Sequence, residues 1–107
     1  MPIDLAFAIE RYAELLEYLP TDEETEEVMY TLGYRDYVHD FLTQGEQPTP
    51  EHARLLREAD ERLLAMRDRL VRRFPWVFAR DDLPPERWWW RLHRAAAPEG
   101  AQALTHG

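Results

Sequence analysis

Thr49-Pro50-Glu51-His52-Ala53-Arg54-Leu55-Leu56-Arg57-Glu58-Ala59-Asp60-Glu61-Arg62-Leu63-Leu64-Ala65-Met66-Arg67-Asp68-Arg69-Leu70-Val71-Arg72-Arg73-Phe74 reads as one long helix. Thr49 supplies a cap, Pro50 suits the first helical position, and Glu51 places an acid in the first turn. Leu56, Ala59, Leu63, Met66 and Leu70 fall on alternating steps of three and four, the pattern of a bundle seam, and Leu64 and Val71 widen that face. At 1.5 Å per residue the helix spans about 36 Å, and Pro75 stops it. Glu58 with Arg62 and Asp68 with Arg72 are spaced as helix-supporting ion pairs. A seam of this length needs other helices to cover it.

Those helices are legible on the N-terminal side. Leu5, Ala8, Ile9, Tyr12, Leu16 and Leu19 repeat at helical spacing, with Asp4 as cap and Pro20 as stop. Phe7 and Tyr18 fall on the opposite side of that wheel. Thr21-Asp22-Glu23-Glu24 fits a capping box for a second helix, whose apolar side holds Val28, Met29 and Leu32. Tyr34, Tyr37, Val38, Phe41 and Leu42 continue as an amphipathic stripe. The stripe shifts phase across Gly33, which predicts two segments or one bent helix there. Gln44-Gly45-Glu46-Gln47-Pro48 is a loop.

Past Pro75, Phe74-Pro75-Trp76-Val77-Phe78 is too apolar for a solvated loop and should pack over one end of a bundle. Leu83-Pro84-Pro85 turns into a short last helix from Glu86 to Ala96. That helix carries Arg87-Trp88-Trp89-Trp90-Arg91. Three adjacent rings on an α-helix sweep about 200°, so they cannot all face one core. The wheel groups Trp88 and Trp89 with Leu92 on an inner face, and turns Trp90 outward beside Arg87 and Arg94. Residues 97–107 have the composition of a flexible tail. The expected fold is therefore all-α: an antiparallel helical bundle of four to five helices, with the Trp-rich C-terminal helix closing one end. Residues 1–96 are expected to form a single domain.

Composition narrows the function classes. The 107 residues contain no cysteine, lysine or serine. Disulfides, thiolate zinc sites, Schiff-base lysines, Walker-type phosphate lysines and serine triads are thereby excluded. No apolar run approaches the roughly 18–20 residues of a membrane span, and Met1-Pro2-Ile3-Asp4 lacks the basic start of a signal peptide, so a cytoplasmic location is expected. The net charge of −8 is uneven. Residues 1–50 hold 12 acids against Arg11 and Arg35, a balance of −10; residues 51–107 hold nine acids against 11 arginines, a balance of +2. The acidic half argues against direct nucleic-acid binding and favours a basic protein surface as partner, or pairing with the chain's own arginine-rich half.

Candidate site residues follow from these patterns. Glu10, Glu14 and Glu17 share one face of the first helix, and Glu23 and Glu27 lie at the start of the second, an acidic surface suited to a basic partner. Trp90, flanked by Arg87 and Arg94, is expected to anchor a second contact, since Trp and Arg are enriched where binding energy concentrates. Self-association through Trp90, or through Phe7 and Tyr18, would give a homodimer. Asp60 and Arg67 project into the apolar sector of the long helix, two turns apart. Each therefore needs a partner from another helix, and the Tyr34/Tyr37 segment and the acid-rich first helix are the candidates. The reading is a non-enzymatic protein–protein interaction module without a cofactor.

The rival reading is a Mg²⁺-dependent hydrolase. Glu23-x-x-Glu26 and Glu24-x-x-Glu27 resemble the first half of the carboxylate motif of all-helical nucleotide pyrophosphatases. The resemblance implies a metal held by Glu23, Glu26 and Glu27 together with Asp36 and Asp40 from the next helix. The second half of that motif, Glu-x-x-Asp, is replaced by Asp36-x-x-x-Asp40. His39-Asp40 resembles the dipeptide of metal-dependent phosphohydrolases, but no histidine precedes it in the chain.

Overall fold

A computed structural model describes residues 3–19, 24–78 and 82–93. The expected all-α fold class holds: every regular element among the described residues is a helix, and none is a strand. The elements are α1 (Leu5–Tyr18), α2 (Thr25–Thr43), α3 (Pro50–Ala65), α4 (Arg67–Arg73), α5 (Pro75–Phe78) and a 3₁₀ turn (Trp88–Trp90). The chain forms two compact units, residues 1–60 and residues 61–107.

In the first unit the helix starts follow their sequence signals. Asp4 Oδ1 accepts the Phe7 N–H at 2.8 Å, closing the first turn of α1. Thr49 Oγ1 accepts the His52 N–H at 3.1 Å and caps α3. The expected face of α1 is buried in full: Leu5, Ala8, Ile9, Tyr12, Leu16 and Leu19. Leu5, Ala8 and Ile9 join Val38 in one cluster, with Phe41, Leu42, Leu55 and Leu56 packed against it. The N-terminal end of α1 thus meets the C-terminal end of α2, so the two run antiparallel. His52 and Asp60 touch Glu10 and Tyr12 in the same order, so α3 runs in the same sense as α1, with α2 antiparallel to both.

Two expectations for α2 are corrected. The helix starts at Thr25 with Glu24 at its N-cap, rather than at a Thr21 cap, and Glu24 makes no side-chain capping bond; Thr21 and Glu23 lie outside the described residues. α2 also runs unbroken through Gly33, so the two-segment alternative does not hold. Its inward face is Val28, Thr31, Leu32, Arg35 and Val38. The phase shift inferred from the apolar pattern disappears once Thr31 and Arg35 are counted as interior positions. Thr31 can be interior because its hydroxyl donates to the Glu27 carbonyl at 2.8 Å. Tyr37 and Met29, expected inward, face water.

The long helix is interrupted once. Met66 leaves α geometry (φ −91°, ψ 3°), and its N–H is shared between the carbonyls of Arg62 at 3.2 Å and Leu63 at 3.1 Å. This is a local tightening toward i−3 bonding that separates α3 from α4 without proline or glycine. In the second unit Leu63, Leu70, Phe74, Val77 and Phe78 are buried, and α5 contacts both α4 and the 3₁₀ turn. Asp68 pairs with Arg67 at 2.7 Å. A second Arg67 nitrogen, Nη2, lies 3.4 Å from the His93 carbonyl, so its partner comes from the C-terminal segment rather than from the expected first helix or Tyr34/Tyr37 segment.

The last helix differs most from expectation. Against the expected α-helix over 86–96, the described part, residues 86–93, makes a single 3₁₀ turn, with Trp90 N–H donating to the Arg87 carbonyl at 3.0 Å and Arg91 N–H to the Trp88 carbonyl at 2.9 Å. The Arg87 N–H is drawn back to the Pro84 carbonyl at 3.0 Å, so the Pro84-Pro85 turn feeds directly into these short bonds. With three residues per turn the rings radiate about 120° apart and no shared face exists. Trp89 and Trp90 are the buried pair, Trp90 being 7% exposed, while Trp88 is half-buried and meets Trp89 edge-on at 5.6 Å. The expectation that Trp90 faces outward is therefore overturned. Arg94, Ala95 and Ala96 lie outside the described residues.

Candidate functional site

The water-facing side of α2 carries the most unusual surface. Met29, Tyr30 and Tyr37 are 44%, 54% and 47% exposed, and Phe7 of α1 is also exposed. Steps of three and four residues put Tyr30, Tyr34 and Tyr37 in a row. Tyr34 sits at the centre and meets each neighbour edge-on: Tyr30 at 5.5 Å, Tyr37 at 5.7 Å and Phe7 at 6.2 Å. Edge-to-face packing holds the rings in fixed orientations, so the aromatic surface is organised before anything binds it. The Tyr34 phenol is pushed above its ordinary range, chiefly by loss of water and next by the Tyr30 phenol beside it. It remains a neutral hydrogen-bonding group at physiological pH.

Gly33 lies within this face. With Met29, Tyr30 and Tyr37 it lines a groove of about 390 Å³, and Asp36 and Asp40 line it as well. The 100° helical spacing sets those carboxylates on the Met29 side, opposite the tyrosines. A glycine inside a helix costs about 1 kcal/mol relative to alanine. Nothing in the fold asks for it here: a Cβ at Gly33 would find no atom within 4 Å.

Beneath this face the interior of the unit is polar at one point. Asp60 accepts from Tyr12 Oη at 2.7 Å and from Arg35 Nε at 2.9 Å on Oδ1, and from Arg35 Nη2 at 3.1 Å on Oδ2. The three residues come from α3, α1 and α2, so the partner that Asp60 requires is supplied by both candidate segments at once. Burial first, and the Asp60 charge second, push the Tyr12 phenol well above its ordinary value. Tyr12 is fully buried. It is a fixed donor out of reach of any substrate, and the cluster joins three helices.

A third constellation has the order hydroxyl, imidazole, carboxylate. His52 Nδ1 lies 2.9 Å from Thr49 Oγ1, and His52 Nε2 lies 2.8 Å from Glu10 Oε2. The Thr49 oxygen is already the acceptor for the His52 backbone N–H. This hydroxyl therefore closes the first turn of α3, and the imidazole ties that turn to α1.

The carboxylates singled out by sequence separate into different settings. Glu10 pairs with His52, Glu14 pairs with Arg11, and Glu17 is exposed. Glu26 and Glu27 share the continuous α2 with Asp36 and Asp40. Nine to fourteen residues of separation is about 13–21 Å, too far for one cation to be shared, and not the adjacent-helix arrangement the hydrolase reading needs. Among the described residues no three His, Asp or Glu side chains are grouped so as to hold a metal ion. Glu23 lies outside the described residues. Arg87 is half-buried, and the surface expected around an outward Trp90 does not form. Sequence reasoning missed Tyr30 and the role of Gly33, whose signal is the α2 wheel redrawn with Arg35 inside. No protein-family model, no curated protein and no solved structure matches the chain.

Proposed function

We propose that this chain is a non-enzymatic protein–protein interaction module that docks its partner on the outward tyrosine face of α2. The observation that carries the reading is a contiguous row of large exposed side chains, Met29, Tyr30 and Tyr37, braced by Tyr34 and Phe7. Isolated exposed apolar residues are ordinary, whereas a contiguous, pre-oriented aromatic patch beside a groove is the usual form of a binding surface. Tyrosine suits the task because its ring contributes contact area and its hydroxyl a hydrogen bond, with few torsions to freeze.

The exposed carboxylates of the N-terminal half, Glu17, Glu24 and Glu26 among them, add long-range attraction for a basic partner. A heterologous partner fits better than a homodimer on this face, because pairing two copies would set Asp36 and Asp40 against their own equivalents. No helix among the described residues is long and apolar enough to cross a membrane. A cytoplasmic setting belongs to this proposal.

The test is capture of partners from the native host with the wild type and with the Tyr30→Ser/Tyr37→Ser variant as baits. Amide exchange of the captured complex locates the contact. A partner that protects α2 and is lost by a variant of unchanged melting temperature supports the proposal. A partner retained by that variant overturns it.

A further inference from the structure

Resting on the docking reading, we infer that the occupant of the α2 groove is a cationic, apolar segment of another protein, seated by close approach to the bare backbone at Gly33. Three observations converge on that chemistry.

The first is charge. The groove lies in the half of the chain with 12 acids against two arginines. Asp36 and Asp40 line it, and Glu26 is exposed one turn before Met29 and Tyr30. An acidic segment would be repelled at every approach, and a neutral one would gain nothing from this field.

The second is the aromatic row. A guanidinium or ammonium group laid over a tyrosine face is attracted by the ring's negative π-surface, and the alkyl stem of Arg or Lys covers the adjoining apolar area. Tyr30 and Tyr37 line one side of the groove, and Asp36 and Asp40 the other. One basic side chain can thus meet a ring and a carboxylate together.

The third is Gly33. A residue with a side chain would fill the groove floor between Met29, Tyr30 and Tyr37. The fold does not require the glycine, since a Cβ there would stand in open space. Its absence leaves a notch that admits a partner's backbone or a bulky apolar side chain at close range. A second copy of this chain presents the same negative face, so it is the less suited occupant.

A displayed library of random helical peptides, selected on immobilised wild-type protein and counter-screened on Gly33→Gln and Tyr37→Ser, tests the inference. Both variants are first checked for unchanged helicity and melting. The expected result is peptides with net positive charge and an apolar face. Their affinity should fall at least about tenfold in either variant, and should fall again as salt screens the carboxylates. Recovery of neutral or acidic peptides that still depend on Tyr37 leaves the docking face standing and overturns the cationic occupant. Cationic peptides indifferent to Gly33→Gln overturn the close approach at the notch. If no recovered peptide depends on Tyr37, the docking reading fails and this inference fails with it. A concentration-dependent dimer abolished by Gly33→Gln would make a second copy the occupant, against the inference.

Discussion

Arg35 on α2 and Asp60 on α3 meet side by side, Nε to Oδ1 at 2.9 Å and Nη2 to Oδ2 at 3.1 Å. The pair lies largely out of water, with the side chains 9% and 21% exposed. Two charges taken out of water this far are tolerated only with good geometry and further hydrogen bonds. The Tyr12 hydroxyl supplies one such bond from α1. Because each partner comes from a different helix, the contact can form in only one register of the three, and it places the tyrosine row of α2 relative to α1.

Asp60→Ala should therefore destabilise the protein strongly. It removes a carboxylate that three donor groups use and takes the counter-charge from a largely buried Arg35. The expected loss is about 3–5 kcal/mol, read from urea denaturation. The double variant Arg35→Met/Asp60→Leu, which removes both charges while keeping side-chain bulk, should recover most of that loss. Equal destabilisation in the single and double variants would show that packing, rather than charge pairing, is the important term.

Tyr12 gives a pH signature for the same cluster. Its phenol is buried beside a carboxylate, and burial raises its pKa well above the usual 10.0. A group whose folded pKa is raised contributes stability that is complete below its unfolded pKa and is lost as pH climbs from there toward the folded value. Titration of Tyr12 should thus leave stability flat with pH around neutrality and make it fall steeply above about pH 10. Tyr12→Phe should lower neutral-pH stability by about 1 kcal/mol through the lost hydrogen bond, and should flatten the alkaline decline. Parallel alkaline slopes in wild type and variant would exclude Tyr12 as the titrating group.

How much of this was legible in the sequence depends on which signal each residue gives. α1 and the start of α3 were legible because Asp4 and Thr49 are strong caps and their apolar faces contain few polar interruptions. Asp60 was legible as an anomaly: a lone acid in an apolar sector must find a partner, and both candidate segments proved to supply one. Its actual partner, Arg35, reads in the sequence only as one of two positive charges in an acidic half. Apolar periodicity cannot place an arginine inside a core, so the α2 wheel came out rotated. Tyr34 and Tyr37 then looked like core residues, and the groove beside Gly33 stayed hidden. The tryptophans failed for another reason, since a wheel of 100° steps does not describe a 3₁₀ turn whose short bonds follow the Pro84-Pro85 turn.

Those tryptophans provide a direct comparison. Trp90 is 7% exposed and Trp76 is 62% exposed, although Trp76 meets Phe74 edge-on at 5.9 Å. Trp90→Ala should cost about 3–5 kcal/mol by leaving a large cavity, whereas Trp76→Ala should cost less than about 1 kcal/mol. Thermal denaturation of the two variants settles the order. A Trp90→Ala protein as stable as wild type would restore that ring to the surface.

Gly33→Ala should raise stability. The new Cβ meets open space, and alanine replaces the ordinary residue least suited to a helix interior after proline. Part of the gain comes from the unfolded chain, which loses conformational freedom with the glycine. The expected increase is about 0.5–1 kcal/mol, measured as a higher urea midpoint with an unchanged slope. A neutral or destabilising result would mean that α2 bends at Gly33 in solution or that the surrounding rings close over it. A stabilising one leaves a glycine retained at a position where the fold is better without it, and the groove between Tyr30, Tyr37 and Met29 is the feature that its missing side chain keeps open.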